Sequence, residues 1–210
     1  LYTTCKSLPV VPRIITTGSS SEYGKKNEPM REDMVAEPNT AYGCAKLWAT
    51  VYGEHLRREE GVPITTLRLF SVYGPFEAKS RLVPAVTLSL LADNLPTLSS
   101  PKTARDFVYV GDVVAAIMLA SDVNKPGVYN IGGGTNVTLQ EIVDCIAAEV
   151  GSSLELVWGS DASRSFDTAR WVADTTKTEE VLGWKSTTPL VDGIVKTVQW
   201  LKEHDGLYAK

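Results

Sequence analysis

The stretch TTGSSSEYG, residues 16–24, sets the reading of the whole chain. It closes an apolar, β-branched run, PRIITT, that stops at Gly18 and three consecutive serines. This is the pattern of a buried strand that delivers hydroxyl groups to the end of a sheet. In an arbitrary protein such serines cap a helix or build a turn. A second motif, farther along the chain, gives them another use. In AYGCAK, residues 41–46, Tyr42 and Lys46 stand four apart in a helical segment and so share one face. An ammonium held beside a phenol favours the phenolate, which lets a tyrosine take and return a proton near neutral pH. Tyr2 and Lys6 have the same spacing but precede the serine strand, and are read as structural. Tyr42 comes after that strand by one loop, so the carboxyl edge of a parallel sheet can gather hydroxyl, phenol and ammonium.

Outward from this stretch, strands alternate with helices. The apolar run PITTLRLF (63–70) reads as a second buried strand after a helix that stops at Gly61. SRLVPAVTLSLLADN reads as a helix, TLSSPKTARDFVYV as a loop and short strand, and GDVVAAIMLASD as an amphipathic helix capped by Asp112 or its neighbour. GVYNIGGG is a third strand meeting a glycine loop. TLQEIVDCIAAEVG is a helix with a Thr138–Glu141 capping box. LELVWG reads as a strand, TKTEEVLGW as a short helix and PLVDGIVKTVQWLKEH as a terminal helix. The alternation predicts an α/β fold with a largely parallel, doubly wound sheet.

Composition removes whole classes of function. The 210 residues are 43% hydrophobic and 22% charged, ordinary globular values. A net charge of −4 and no basic run argue against nucleic acid, and no apolar stretch reaches the roughly 18 residues of a spanning helix. No membrane partner is expected, and the expected location is the cytoplasm. Cys5, Cys44 and Cys145 lie far apart without a CxxC, which predicts reduced, mostly buried thiols and no zinc site, and only His55 and His204 could ligate through imidazole. The order Ser20, Asp174, His204 is that of one hydrolase triad, but no GxSxG elbow accompanies it.

TTGSSSEYG, YGCAK, RLFSVYGP, ARDFVYVGDVV, YNIGGG and VADTTKTEEVLGW stand in the order and spacing of a known family. The chain resembles the extended short-chain dehydrogenase/reductases, the NAD-dependent nucleotide-sugar epimerase and dehydratase group, over essentially its whole length. The resemblance implies an incomplete doubly wound, Rossmann-type parallel sheet with a smaller α/β substrate-binding domain interleaved. Residues 1–74 would be the second half of the dinucleotide-binding domain and 75–210 mainly the substrate domain, with about 106–134 returning to the sheet. In that family a Ser or Thr four residues before the tyrosine of the YG pair bonds the reacting sugar hydroxyl, which lands on Ser19, with Ser20 and Ser21 as alternates. Tyr42 would be the acid/base, and Lys46 would bind the nicotinamide ribose of NAD or NADP. Phe70 and Val72 would line the nicotinamide side.

The same carry-over covers the substrate, a nucleotide-diphosphate sugar. Arg105 resembles the arginine that grips the diphosphate, a task suited to its donor fork, with a salt bridge to Asp106 as its other reading. Arg164 and Asp167 match a second arginine and an acid on the nucleotide ribose. Ser71 stands where relatives have Asn. Dehydratases of the family carry an Asp–Glu pair where this chain has Ser20 and Ser21, so redox chemistry at sugar carbon 4, by epimerisation or keto-reduction, is expected in place of dehydration.

The glycine-rich dinucleotide fingerprint occurs nowhere in the sequence, and Gly132–Gly134 read as a turn. With Leu1 opening the chain on the tail of a helix, strands and helices of about a hundred residues are expected before it, at about thirty per βαβ unit. A non-catalytic nucleotide-sugar-binding module is the alternative. The helix of Tyr42 continues as LWATVYGEHL, apolar nearly all round, and the resemblance makes it a homodimer face.

Overall fold

The first helix, α1 (Tyr2–Lys6), leads into β1 (Ile14–Ser19), and a 3-10 turn over Ser20–Glu22 closes the strand. The computed structural model describes residues 2–159 and 170–208. α2 (Ala41–Glu60) comes after a loop, and β2 (Ile64–Leu69) returns parallel to β1. Then come β3 (Ser71–Tyr73), α3 (Leu82–Leu91), β4 (Ala104–Arg105), β5 (Phe107–Tyr109) and α4 (Val110–Asp122). β6 (Gly127–Ile131), β7 (Val137–Thr138), α5 (Leu139–Val150), α6 (Thr176–Leu182) and α7 (Leu190–Glu203) complete the order. A last 3-10 turn covers Asp205–Tyr208.

The main sheet is parallel throughout, in the order β1-β2-β6. Its register aligns Ser19 with Leu69 and Leu69 with Ile131, so all three strands end level at one carboxyl edge. β2 and β6 are near-continuous apolar or β-branched runs because helices cover both faces of a parallel sheet. Leu56, Val62, Ile64 and Ile14 form a core beside α2; Leu67, Val113, Ala116, Tyr129, Ile131, Leu182 and Trp184 form another beside α4 and α6. A separate helical core joins α3, α5 and α7 through Val83, Val86, Ile142, Ile146, Ile194 and Val198. The short ladders β3-β5, parallel, and β4-β7, antiparallel, lie outside the main sheet.

Local chemistry explains the helix ends. Thr40 Oγ1 accepts the Gly43 N–H at 3.0 Å and opens α2, and Gly61 at φ 68° closes it in the left-handed conformation. The Thr138–Glu141 capping box opens α5 as its spacing predicts. Two expectations are corrected. Asp112 does not cap α4, whose N-cap is Tyr109 with no side-chain bond; its carboxylate is taken by Ser186, Thr187 and Thr188. The segment LELVWG makes no strand, and only Trp158 forms an isolated bridge, to Leu98. No described helix is long and apolar enough to cross a membrane.

Candidate active site

The serines are held by a carboxylate just beyond them in the chain. Glu22, fully buried, accepts the Ser19 backbone N–H at 2.8 Å, while Ser19 Oγ accepts the Ser21 N–H at 3.1 Å, completing a capping box on the turn. The second oxygen of Glu22 pairs with Arg68 Nε at 2.8 Å, tying the turn to β2. Ser20 Oγ accepts from Trp171 Nε1 at 2.9 Å. Ser19 and Ser20 are nearly buried and Ser21 is half-buried. Each of the first two hydroxyls therefore has an N–H on one lone pair and keeps its own proton to donate.

α2 rests directly on this turn. A Cβ at Gly43 would come within 2.5 Å of the Ser21 carbonyl oxygen, so only glycine allows the first turn of the helix to approach so closely. That approach brings Tyr42 and Lys46 to the carboxyl end of β1. Lys46 Nζ donates to the Thr17 carbonyl at 2.8 Å and lies 5.7 Å from the centre of the Tyr42 ring. Tyr42 is 56% exposed, and its hydroxyl has no hydrogen bond among the described residues. An open phenol beside an ammonium with N–H groups to spare is a donor set that fits a ribose diol.

The remaining expected residues divide. Phe70 is buried with Tyr23, Met30, Trp171 and Ala173, whereas Val72 packs against the α4-side core. The Ser71 N–H bonds the Asp106 carbonyl at 2.9 Å. The Arg105 guanidinium donates to the Ala104 carbonyl and lies 5.5 Å from the Trp171 ring centre. The Asp106 carboxylate, its other expected partner, is buried and accepts the N–H groups of Gly133, Gly134 and Ala173. Burial pushes its pKa up to about 6 against the pull of those three donors. The glycine loop thus spends two N–H groups on an internal carboxylate, which is the structural turn expected of it. Arg164 and Asp167 lie outside the described residues.

No hydrolase triad forms. Ser20 is paired with Trp171, Asp174 Oδ1 accepts the Thr176 N–H, and His204 Nδ1 lies 2.8 Å from the Trp200 carbonyl on α7. Among the described residues no group of His, Cys, Asp and Glu could hold a metal ion. The three cysteines are free, but the expectation that they are mostly buried is corrected: Cys44 is exposed on α2, and Cys5 and Cys145 are only half-buried.

Sequence reading missed Glu22, Arg68 and Trp171. Glu22 had a signal, since Ser19-x-x-Glu22 is capping-box spacing. Trp171 had none, because its bond to Ser20 spans 151 residues.

Comparison with known proteins extends this picture. A putative UDP-glucose 4-epimerase of Methanocaldococcus jannaschii is 31% identical over 199 residues, which cover 91% of this chain and 63% of that protein. A dTDP-glucose 4,6-dehydratase of Streptomyces niveus is 27% identical over 195 residues, 91% of this chain and 58% of that one. The crystal structure of UDP-glucuronic acid 4-epimerase from Bacillus cereus in complex with UDP-glucuronic acid and NAD is similar with a TM-score of 0.89. It is 26% identical and covers 97% of this chain and 65% of its own. The chain therefore spans 58% to 63% of the length of these two curated relatives. Residues 1–132, which hold the parallel sheet, the serine turn and the Tyr42–Lys46 helix, match one family as a unit, and this chain belongs to the NAD dependent epimerase/dehydratase family.

Proposed function

We propose that this chain carries the Ser-Tyr-Lys residues of an enzyme performing NAD(P)-dependent redox chemistry at carbon 4 of a nucleotide-diphosphate sugar. The observation that carries the reading is the seating of α2 on the serine turn through Gly43, with Lys46 bonded to the Thr17 carbonyl of β1 and 5.7 Å from the centre of the Tyr42 ring. NAD or NADP, when bound, supplies a hydride acceptor and donor. Ser19 donates a hydrogen bond to the reacting sugar oxygen and keeps its proton, and Tyr42 takes the proton of that sugar hydroxyl and later returns it. Lys46 binds the nicotinamide ribose, with Phe70 and Val72 nearby. Arg105, and in sequence Arg164 and Asp167, serve the diphosphate and nucleotide ribose, and Ser20, Ser21 and Ser71 the sugar.

The product is either an epimer, through a transient ketone, or a reduced keto sugar. No carboxylate pair stands at positions 20 and 21 to expel water, which disfavours 4,6-dehydration. The aromatic and aliphatic face of α2, with Trp48 72% exposed beside Val51 and Tyr52, supports a homodimer. Free cysteines support a reducing, cytoplasmic setting.

The test is turnover of UDP- and dTDP-sugars with NAD and NADP by the full-length protein. Tyr42→Phe lowers turnover by about 10²- to 10⁴-fold with little change in substrate affinity, the range for a lost acid/base. Tyr2→Phe leaves it unchanged. A Tyr42→Phe variant as active as the wild type would sink the reading.

A further inference from the structure

Trp171 touches two parts of the site and belongs to neither the serine nor the arginine motif. Its indole Nε1 reaches Ser20 Oγ, and its ring lies beside the Arg105 guanidinium. The side chain is buried, and its backbone N–H donates to Asn136 Oδ1 at 3.2 Å. An indole N–H only donates, so it takes a lone pair of Ser20 Oγ and leaves that hydroxyl's proton for an acceptor. A planar cation against an aromatic ring is attracted to it and gives up part of its conformational freedom before any ligand arrives.

We propose that Trp171 is a positioning residue that ties the two ends of the substrate site together. Through its N–H it sets Ser20 as a second hydroxyl donor, facing a ketone or hydroxyl oxygen of the sugar. Through its ring it steadies Arg105 for the diphosphate. The proposal rests on the functional reading above and deepens it, because it names the residue that orients Ser20 for the sugar and Arg105 for the diphosphate.

Two substitutions separate the roles. Trp171→Phe keeps an aromatic ring and removes the N–H; turnover falls roughly tenfold, while KM and the inhibition constant of free UDP or dTDP stay within about twofold. Trp171→Leu removes both features, and inhibition by free UDP or dTDP weakens as well, by about fivefold. Ser20→Ala, a smaller change that keeps the fold's packing, reproduces the Trp171→Phe result, and Trp171→Phe then adds nothing in its background. Wild-type turnover in Trp171→Phe, or equal losses of turnover and UDP inhibition in that variant, would overturn the proposal while leaving the functional reading intact. Absence of nucleotide-sugar turnover in the wild-type protein would overturn both.

Discussion

Glu22 and Arg68 form an ion pair at 2.8 Å with side chains 0% and 7% exposed, and the other oxygen of that carboxylate holds the backbone of Ser19. The guanidinium also lies 4.6 Å from the Tyr23 ring centre. Breaking a buried pair by removing one partner leaves an uncompensated charge and costs about 3–5 kcal/mol. Glu22→Ala is therefore expected to lower stability by that amount in denaturant unfolding. Arg68→Met with Glu22→Leu, which removes both charges, is expected to cost much less.

Gly43 carries the second prediction. A methyl at this position meets the Ser21 carbonyl, so Gly43→Ala must push the first turn of α2 away from the serines. The expected result is a folded protein with near-normal far-UV circular dichroism and turnover reduced at least tenfold, since sub-ångström placement governs proton transfer.

Asp112 gives a pH dependence with a defined sign. Burial pushes its carboxyl up, but hydrogen bonds from Thr188, Ser186 and Thr187 outweigh that and hold it below the usual carboxylate range. A carboxylate with a depressed folded pKa stabilises the protein above its unfolded pKa, and the contribution vanishes as pH falls through the folded value. Thermal melts from pH 6 down to pH 2 should show an acid-side loss of stability that is shallower in Asp112→Asn. The same variant should melt lower than wild type at pH 7, because the 186–188 segment loses one of its two acceptor oxygens and the negative charge, and meets an NH2 donor instead.

The exposed face of α2 supplies the fourth. Trp48→Glu is expected to turn a dimeric full-length protein into a monomer by light scattering after gel filtration. A dimer that survives the substitution would place the interface elsewhere.

How far the sequence disclosed this arrangement depended on the range of each interaction. The strands Ile14–Ser19 and Ile64–Leu69 and the helix closed by Gly61 were legible because β-branched runs, 3.6-residue periodicity and a left-handed glycine are local signals. Asp112 was misread as a cap because the hydroxyls that claim it arrive from more than seventy residues away. LELVWG has strand composition, yet only Trp158 finds a bridge partner, and propensity without a partner does not make a strand. At the site, Tyr42 and Lys46 could be paired by spacing together with their position after the serine strand, since Tyr2 and Lys6 share the spacing. The support beneath them, Glu22 with Arg68 and Trp171 with Ser20, joins separate segments and was visible only in three dimensions.

The carboxylate of Asp106 has a kinetic consequence. It gathers the loop after β6 and the chain at Ala173, bonds that close sequence separations of 27 and 67 residues. The expected outcome is that Asp106→Asn, which takes away one of the two oxygens holding these segments, speeds unfolding more than it slows folding, as read from the two arms of a denaturant chevron. A folding arm slowed as much as the unfolding arm is quickened would place these bonds in the transition state instead.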